Sequence, residues 1–215
     1  MKGQFELIIF DWDGTLVDSI DWIVQSLKKA ARVQGLVIPE QQAVKNIIGL
    51  SIYKATEQLF PGIDQQQQQA LISCYSEVFF TKQIVEEDLF TGVKEMLDKL
   101  RQKGYKLAVA TGKTRSGLDR AMQGTGLTGF FDITRCADET ASKPNPEMVD
   151  EIVREMAVSR EKTVMIGDSA YDLQMAANAG IKAIAVTCGA NSMEQLQQYT
   201  PLLNLQQTTE LLNVL

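Results

Sequence analysis

The sequence predicts an α/β fold, a doubly wound parallel sheet with a small all-helical cap inserted after the first strand. Three observations carry this expectation. Leu7-Ile8-Ile9-Phe10 is a short unbroken apolar run of the kind buried on both faces of a parallel sheet. From Leu89 onward, strand-like and helix-like patterns alternate, as a parallel sheet with helical crossovers requires. Between these regions, about 95 residues separate Asp11 from the next strong strand candidate at Lys106, whereas a parallel crossover needs only a dozen or more. That surplus leaves room for an inserted module.

After the first strand, Ile20, Ile23, Val24, Leu27 and Ala31 recur at helical spacing, with Asp18 or Ser19 placed to cap the helix and Gly35 to end it. Asp18 therefore reads as a cap rather than a catalyst. Residues 17–84 show helical patterns broken at Pro39, Gly49 and Pro61-Gly62, and no convincing strand. The glutamine run at 65–69 reads as a solvated helix face, since glutamine is a fair helix former. Val93, Met96, Leu97 and Leu100 mark the next helix, which Gly104 closes, and 106–111 contains a second buried strand. A helix near 116–122, a short strand at 131–134 and a helix bearing Val149, Ile152, Val153 and Met156 follow. Then come a strand at 163–167, a helix at 171–179 closed by Gly180 and a strand at 183–186. The expected division is a Rossmann-like core of residues 1–16 and 85–215 with a helical cap at 17–84.

Composition narrows the chemistry. With 21 basic against 27 acidic residues the formal net charge is −6, which does not favour a nucleic-acid or anionic-membrane surface. No signal-like segment opens the chain and no apolar run approaches the roughly 20 residues of a membrane span, so a cytoplasmic protein, monomer or homodimer, is expected. Cys74, Cys136 and Cys188 are odd in number and far apart, which fits reduced thiols. None starts a Cys-x5-Arg signature, because Phe80, Ser142 and Glu194 stand where the arginine must be. The complete absence of histidine excludes Ser-His-Asp and Cys-His catalysis, a phosphohistidine and histidine-ligated zinc. Carboxylates, hydroxyls and lysines remain.

Two glycine motifs mislead. Gly124-Thr125-Gly126-Leu127-Thr128-Gly129 matches the dinucleotide fingerprint, but it follows a helix and precedes a strand, the reverse of what pyrophosphate binding needs. Gly112-Lys113-Thr114 looks like the end of a P-loop, but Leu107 stands where its first glycine must be.

Asp11 and Asp13 lie where the first strand ends, and Gly14 lets the backbone turn after them. Alone, they read equally well as turn residues. Three later segments complete an ordered set: Ala110-Thr111-Gly112-Lys113, Ser142-Lys143-Pro144-Asn145-Pro146-Glu147 and Ile166-Gly167-Asp168-Ser169-Ala170-Tyr171-Asp172. With Asp11-Trp12-Asp13-Gly14-Thr15, these resemble the haloacid dehalogenase superfamily of phosphohydrolases, and within it the phosphoglycolate phosphatase-like members. The resemblance spans most of the chain and implies a helical cap over the sheet.

The resemblance implies Asp11 as a nucleophile that forms an aspartyl phosphate, dividing one difficult displacement into two easier ones. Asp13 is the expected acid for the leaving oxygen and base for the attacking water. A carboxylate facing a phosphate dianion calls for a hard cation. Asp168 is the expected ligand to Mg²⁺, with Asp11 and the main-chain carbonyl of Asp13 as further ligands by family analogy. Asp172 lies one helical turn past Asp168 and binds the metal directly or through water. The Thr111 hydroxyl and Gly112 amide are expected to donate to phosphoryl oxygens. Lys143 precedes a helix that Asn145 can cap and Pro146 can open, which places its ammonium near the phosphate. Lys113 is a second cation, equally readable as solvated. Lys45 and Lys54 flank the loop Gly49-Leu50-Ser51 and are candidate contacts to an anionic substrate tail, or simply surface lysines.

The expected activity is hydrolysis of a small phosphorylated metabolite, with phosphoglycolate as the substrate the resemblance implies. A phosphosugar mutase shares the first step and differs in the acceptor. A phosphoacceptor signalling domain joins similar groups around an aspartyl phosphate, but needs neither a helical insertion nor Asp13 as an acid. A metal-free haloacid dehalogenase fits poorly with Asp13 and the Asp168/Asp172 pair.

Overall fold

The computed structural model describes residues 3–215; residues 1 and 2, part of the expected core segment 1–16, lie outside the described residues. Strand β1 (Leu7–Phe10) is buried at every position. Its alternate side chains enter two different cores: Ile8 and Phe10 face one, Leu7 and Ile9 the other. A strand so placed must be covered by helices on both faces, which is why its sequence is an apolar run rather than an alternation.

Strands β2 (Lys106–Thr111), β3 (Ile133–Cys136), β4 (Thr163–Gly167), β5 (Lys182–Val186) and β6 (Leu203–Leu205) join β1 in one parallel sheet of order β3-β2-β1-β4-β5-β6. One face packs against helices α5 (Val93–Gln102) and α6 (Arg115–Thr125), through Met96, Leu97, Leu100 and Leu118. The opposite face packs against α7 (Glu147–Met156) and α8 (Ala170–Asn178), through Met148, Val149, Ile152, Met175 and Ala176. Each of these side chains except that of Ala176 contributes roughly 1.5–3 kcal/mol by leaving water. Short helices α9 (Met193–Gln197) and α10 (Leu211–Val214) complete the C-terminal part.

Four helices, α1 (Ile20–Val33), α2 (Gln41–Lys45), α3 (Ile52–Leu59) and α4 (Gln65–Phe79), occupy the interval between β1 and α5, with no strand among them. They hold together through Val24, Leu27, Val44, Ile47 and Phe79, and further out through Ala30, Ala31, Leu71, Cys74 and Val78. The chain leaves and re-enters the sheet layer side by side: Asp18 N–H donates to Asp88 O at 2.8 Å, and Phe90 N–H to Leu16 O at 3.1 Å. The glutamine run opens α4, where Gln65, Gln66, Gln67 and Gln69 are exposed and Gln67 closes a reciprocal cap with Asp64.

Local differences from expectation have physical causes. Ser19 stands at the N-cap of α1 but makes no side-chain cap; its hydroxyl is used elsewhere. Strand β3 lies two residues later than 131–134, because Asp132 is spent on β2: its carboxylate accepts from the Leu107 N–H at 2.8 Å. The hexapeptide 124–129 begins in the last residues of α6, with Gly126 in the left-handed conformation that caps it.

Candidate active site

The sheet order reverses direction between β1 and β4, and such a switch point opens a crevice beyond the carboxyl ends of the strands. Asp11 extends β1, its N–H donating to Ile166 O at 2.9 Å; Thr111 ends β2 and Asp168 follows β4. The aligned register of these three neighbouring strands delivers all three residues to one crevice.

Asp168 is fixed from several directions. Thr15 Oγ1 donates to its Oδ1 and the Ala190 N–H to its Oδ2, each at 2.7 Å. Gly14, at φ +80°, and Gly189 press against this carboxylate so closely that a Cβ on either would overlap it. Asp172, in the first turn of α8, accepts at Oδ2 from Ser169 N–H and Oγ at 3.1 and 2.6 Å. Its other oxygen takes the Lys143 ammonium at 2.6 Å, and the same ammonium reaches Asp11 Oδ1 at 2.7 Å.

Oxygens of Asp11, Asp168 and Asp172 lie within 4.8 Å of one another, all buried. Burial, reinforced by Asp172 and Asp168, holds the Asp11 carboxyl well above its usual range against the pull of Lys143. Burial and Asp172 likewise push Asp168 up to about 7. Burial alone would lower Lys143, but Asp11 and Asp172 raise it above its ordinary value, so it stays charged. Three carboxylates against one ammonium leave a formal deficit of two positive charges, and the donor set is all oxygen. Both features fit a hard divalent cation.

Asp13 sits apart from this cluster. Its carboxylate accepts from Ser19 Oγ at 2.5 Å and pairs with the Lys113 ammonium at 2.9 Å, and Lys113 also lies over the Phe79 ring at 4.9 Å. Thr111 Oγ1 accepts from the Lys113 N–H at 3.2 Å. Asn145 Oδ1 accepts from the Glu147 N–H at 3.0 Å, satisfying a free N–H at the start of α7 beside Lys143. The loop Gly49-Leu50-Ser51 closes over the crevice: Ser51 N–H donates to Ser142 Oγ at 2.8 Å, and Gly49 and Leu50 carbonyls abut Gly112. Lys45 instead lies 3.9 Å from Asp21, and Lys54 pairs with Glu57 at 2.8 Å on the surface.

The profile of the haloacid dehalogenase-like hydrolases matches residues 8–186. The chain belongs to this family. Dickeya dadantii "Probable phosphatase IndB" is 35% identical over 199 residues, covering 91% of this chain and 86% of that protein. "Pyrophosphatase PpaX" of Bacillus mycoides is 28% identical over 99% of this chain and 97% of its own. A solved haloacid dehalogenase-like hydrolase from Bacteroides fragilis superposes with a TM-score of 0.87 at 23% identity, covering 96% of this chain and 99% of that one, and so shares the fold. Among the described residues of this hydrolase, no helix is long and apolar enough to cross a membrane.

Sequence reasoning missed the residues that orient this cluster. Thr15 and Ser169 lie inside the motifs 11–15 and 166–172, so their hydroxyls were visible but their partners were not. Gly189 and Ala190 carry no local signal, because a backbone N–H has no residue-type signature.

Proposed function

We propose that this hydrolase is a Mg²⁺-dependent phosphatase of small phosphate monoesters, working through an aspartyl phosphate on Asp11. The supporting observation is the buried meeting of Asp11, Asp168 and Asp172 with the charged Lys143 at the end of β1. Asp11, Asp168 and Asp172 would hold the metal, with the Asp13 carbonyl added on family grounds, and the bound ion would supply positive charge to the phosphoryl oxygens. Residues 17–84 act in this reading as a cap that keeps bulk water out. The three free thiols agree with a reducing, cytoplasmic setting.

In the first step an Asp11 carboxylate oxygen attacks phosphorus as the ester P–O bond breaks, and Asp13 delivers a proton to the leaving oxygen. In the second, Asp13 takes a proton from water, whose oxygen attacks phosphorus while the bond to Asp11 breaks. Lys143 balances charge beside Asp11, and the Thr111 hydroxyl and Gly112 N–H serve as donors to the transferring group. Phosphoglycolate is one member of this substrate class.

Two amide variants test the reading. Asp11→Asn has no anionic oxygen with which to attack, so no phosphoenzyme forms. Asp13→Asn keeps the nucleophile but loses the proton shuttle. With an aryl phosphate, whose leaving group needs little protonation, its second step suffers more than its first and phosphoenzyme accumulates. Rapid-quench trapping of acid-stable, hydroxylamine-labile label measures this, alongside free phosphate release. Equal labelling of both variants would remove Asp11 as nucleophile.

A further inference from the structure

A cavity of about 120 Å³ opens from Asp11 and Asp13 toward the four inserted helices. A water's share of liquid volume is about 30 Å³, so this space suits only a few non-hydrogen atoms. With the phosphoryl group held at Asp11, the remaining space falls to a short leaving group.

The wall facing that remaining space is apolar. Ile23, Leu27, Ile47, Ile48, Leu50 and Phe79 form most of it. Tyr75 adds an aromatic ring whose phenol is kept neutral, since burial and the neighbouring Asp13 charge both push its pKa up. Among the described residues, the only charged side chains lining the cavity are Asp11, Asp13 and Lys113, and the Lys113 charge is already engaged by Asp13 at 2.9 Å. Lys45 and Lys54 are absent from the lining. A carboxylate or second phosphate on the leaving group would therefore lose its water without gaining a free cation, and would sit near two acidic side chains.

We propose that the leaving group this site selects is an uncharged apolar one, a short alkyl or aryl alcohol, rather than one bearing a carboxylate or a second phosphate. This rests on the phosphatase reading above and narrows its substrate class. It also sets this chain apart from the reaction named for its PpaX relatives, whose leaving group would be a phosphate.

Ethyl, butyl and hexyl phosphate separate the pocket from the chemistry, because all three release a primary alcohol. Each buried methylene should raise kcat/KM about fourfold, so about fifteenfold from ethyl to butyl, with the gain levelling toward hexyl as the cavity fills. Phosphoglycolate and pyrophosphate should fall below butyl phosphate. A flat series, or either charged substrate exceeding hexyl phosphate, overturns the proposal while leaving the phosphatase reading intact. Release from none of the esters overturns both. Binding gives a second readout without turnover: by calorimetry, hexylphosphonate should bind more tightly than phosphonoacetate, and the reverse order counts against the apolar wall. Ile52 lines the same cavity and is half-buried, so it tolerates a longer side chain better than the core positions do. Ile52→Lys should shift the ratio of phosphoglycolate to butyl phosphate turnover several-fold toward phosphoglycolate; an unchanged ratio would overturn the assignment of this wall to the leaving group.

Discussion

Lys143 is buried to 1% exposure and is the sole cation touching the three-carboxylate cluster among the described residues. Desolvating an ammonium is costly, and only its two ion pairs at 2.7 and 2.6 Å offset that cost. Removing it leaves buried carboxylates facing one another without compensation. Lys143→Met should therefore cost about 3–5 kcal/mol of unfolding free energy in chelator, measured by urea denaturation, and part of the loss should return on adding a divalent cation. A loss below about 1 kcal/mol would mean that water or relaxation already screens the cluster. At this scale the sequence was informative about which polar residues meet, because Asp11, Thr111 and Asp168 each terminate a buried apolar run. It was silent about the hydroxyl of Ser19, which looks like a helix cap and in fact donates to Asp13, a choice made by tertiary proximity.

The loop Gly49-Leu50-Ser51, between α2 and α3, is the element that brings the inserted helices onto the crevice. It abuts Gly112, where a Cβ would stand 2.5 Å from Leu50 O and 2.7 Å from Gly49 O. Gly112 does not have a positive φ, so substituting it tests this contact rather than backbone strain. Gly112→Ala keeps the backbone N–H that the proposed mechanism uses as a donor and pushes the loop away. Steady-state kinetics should show kcat/KM lowered by up to about 10²-fold, the scale of a 1 Å misplacement, with little change in Tm. Unchanged kinetics would show that loop closure plays no part in turnover. Elements buried on both faces were the legible ones: β2 and β4 match their expected bounds to the residue. The edge strands were not. Strand β3 is half-buried and includes Arg135, and β6 has only Leu203 and Leu205 around Asn204, too few residues to establish a period.

Across the whole molecule, the sheet's switch point gathers negative charge that the protein itself neutralises only in part. The deficit of two charges means that folding the metal-free chain works against burial of Asp11 and Asp168, both held above the ordinary carboxylate range. A group whose folded pKa is raised binds protons on folding, so the metal-free chain should lose stability as pH rises from about 4 to about 7, where Asp168 titrates. In the proposed reading Mg²⁺ would supply the missing charge only in the folded state. At a hundredfold excess over Kd it should add about 2.7 kcal/mol, which for a chain of 215 residues is roughly 5–11 °C in Tm. The shift should be larger at pH 8 than at pH 5, because at the lower pH the ion must displace protons from its ligands. Asp168→Asn separates this from a general salt effect: it removes one of the repelling charges, so the variant should melt higher than the parent in chelator and respond little to Mg²⁺. Sodium chloride at matched ionic strength should reproduce neither result. Equal Mg²⁺ shifts in parent and variant would place the ion elsewhere on the protein.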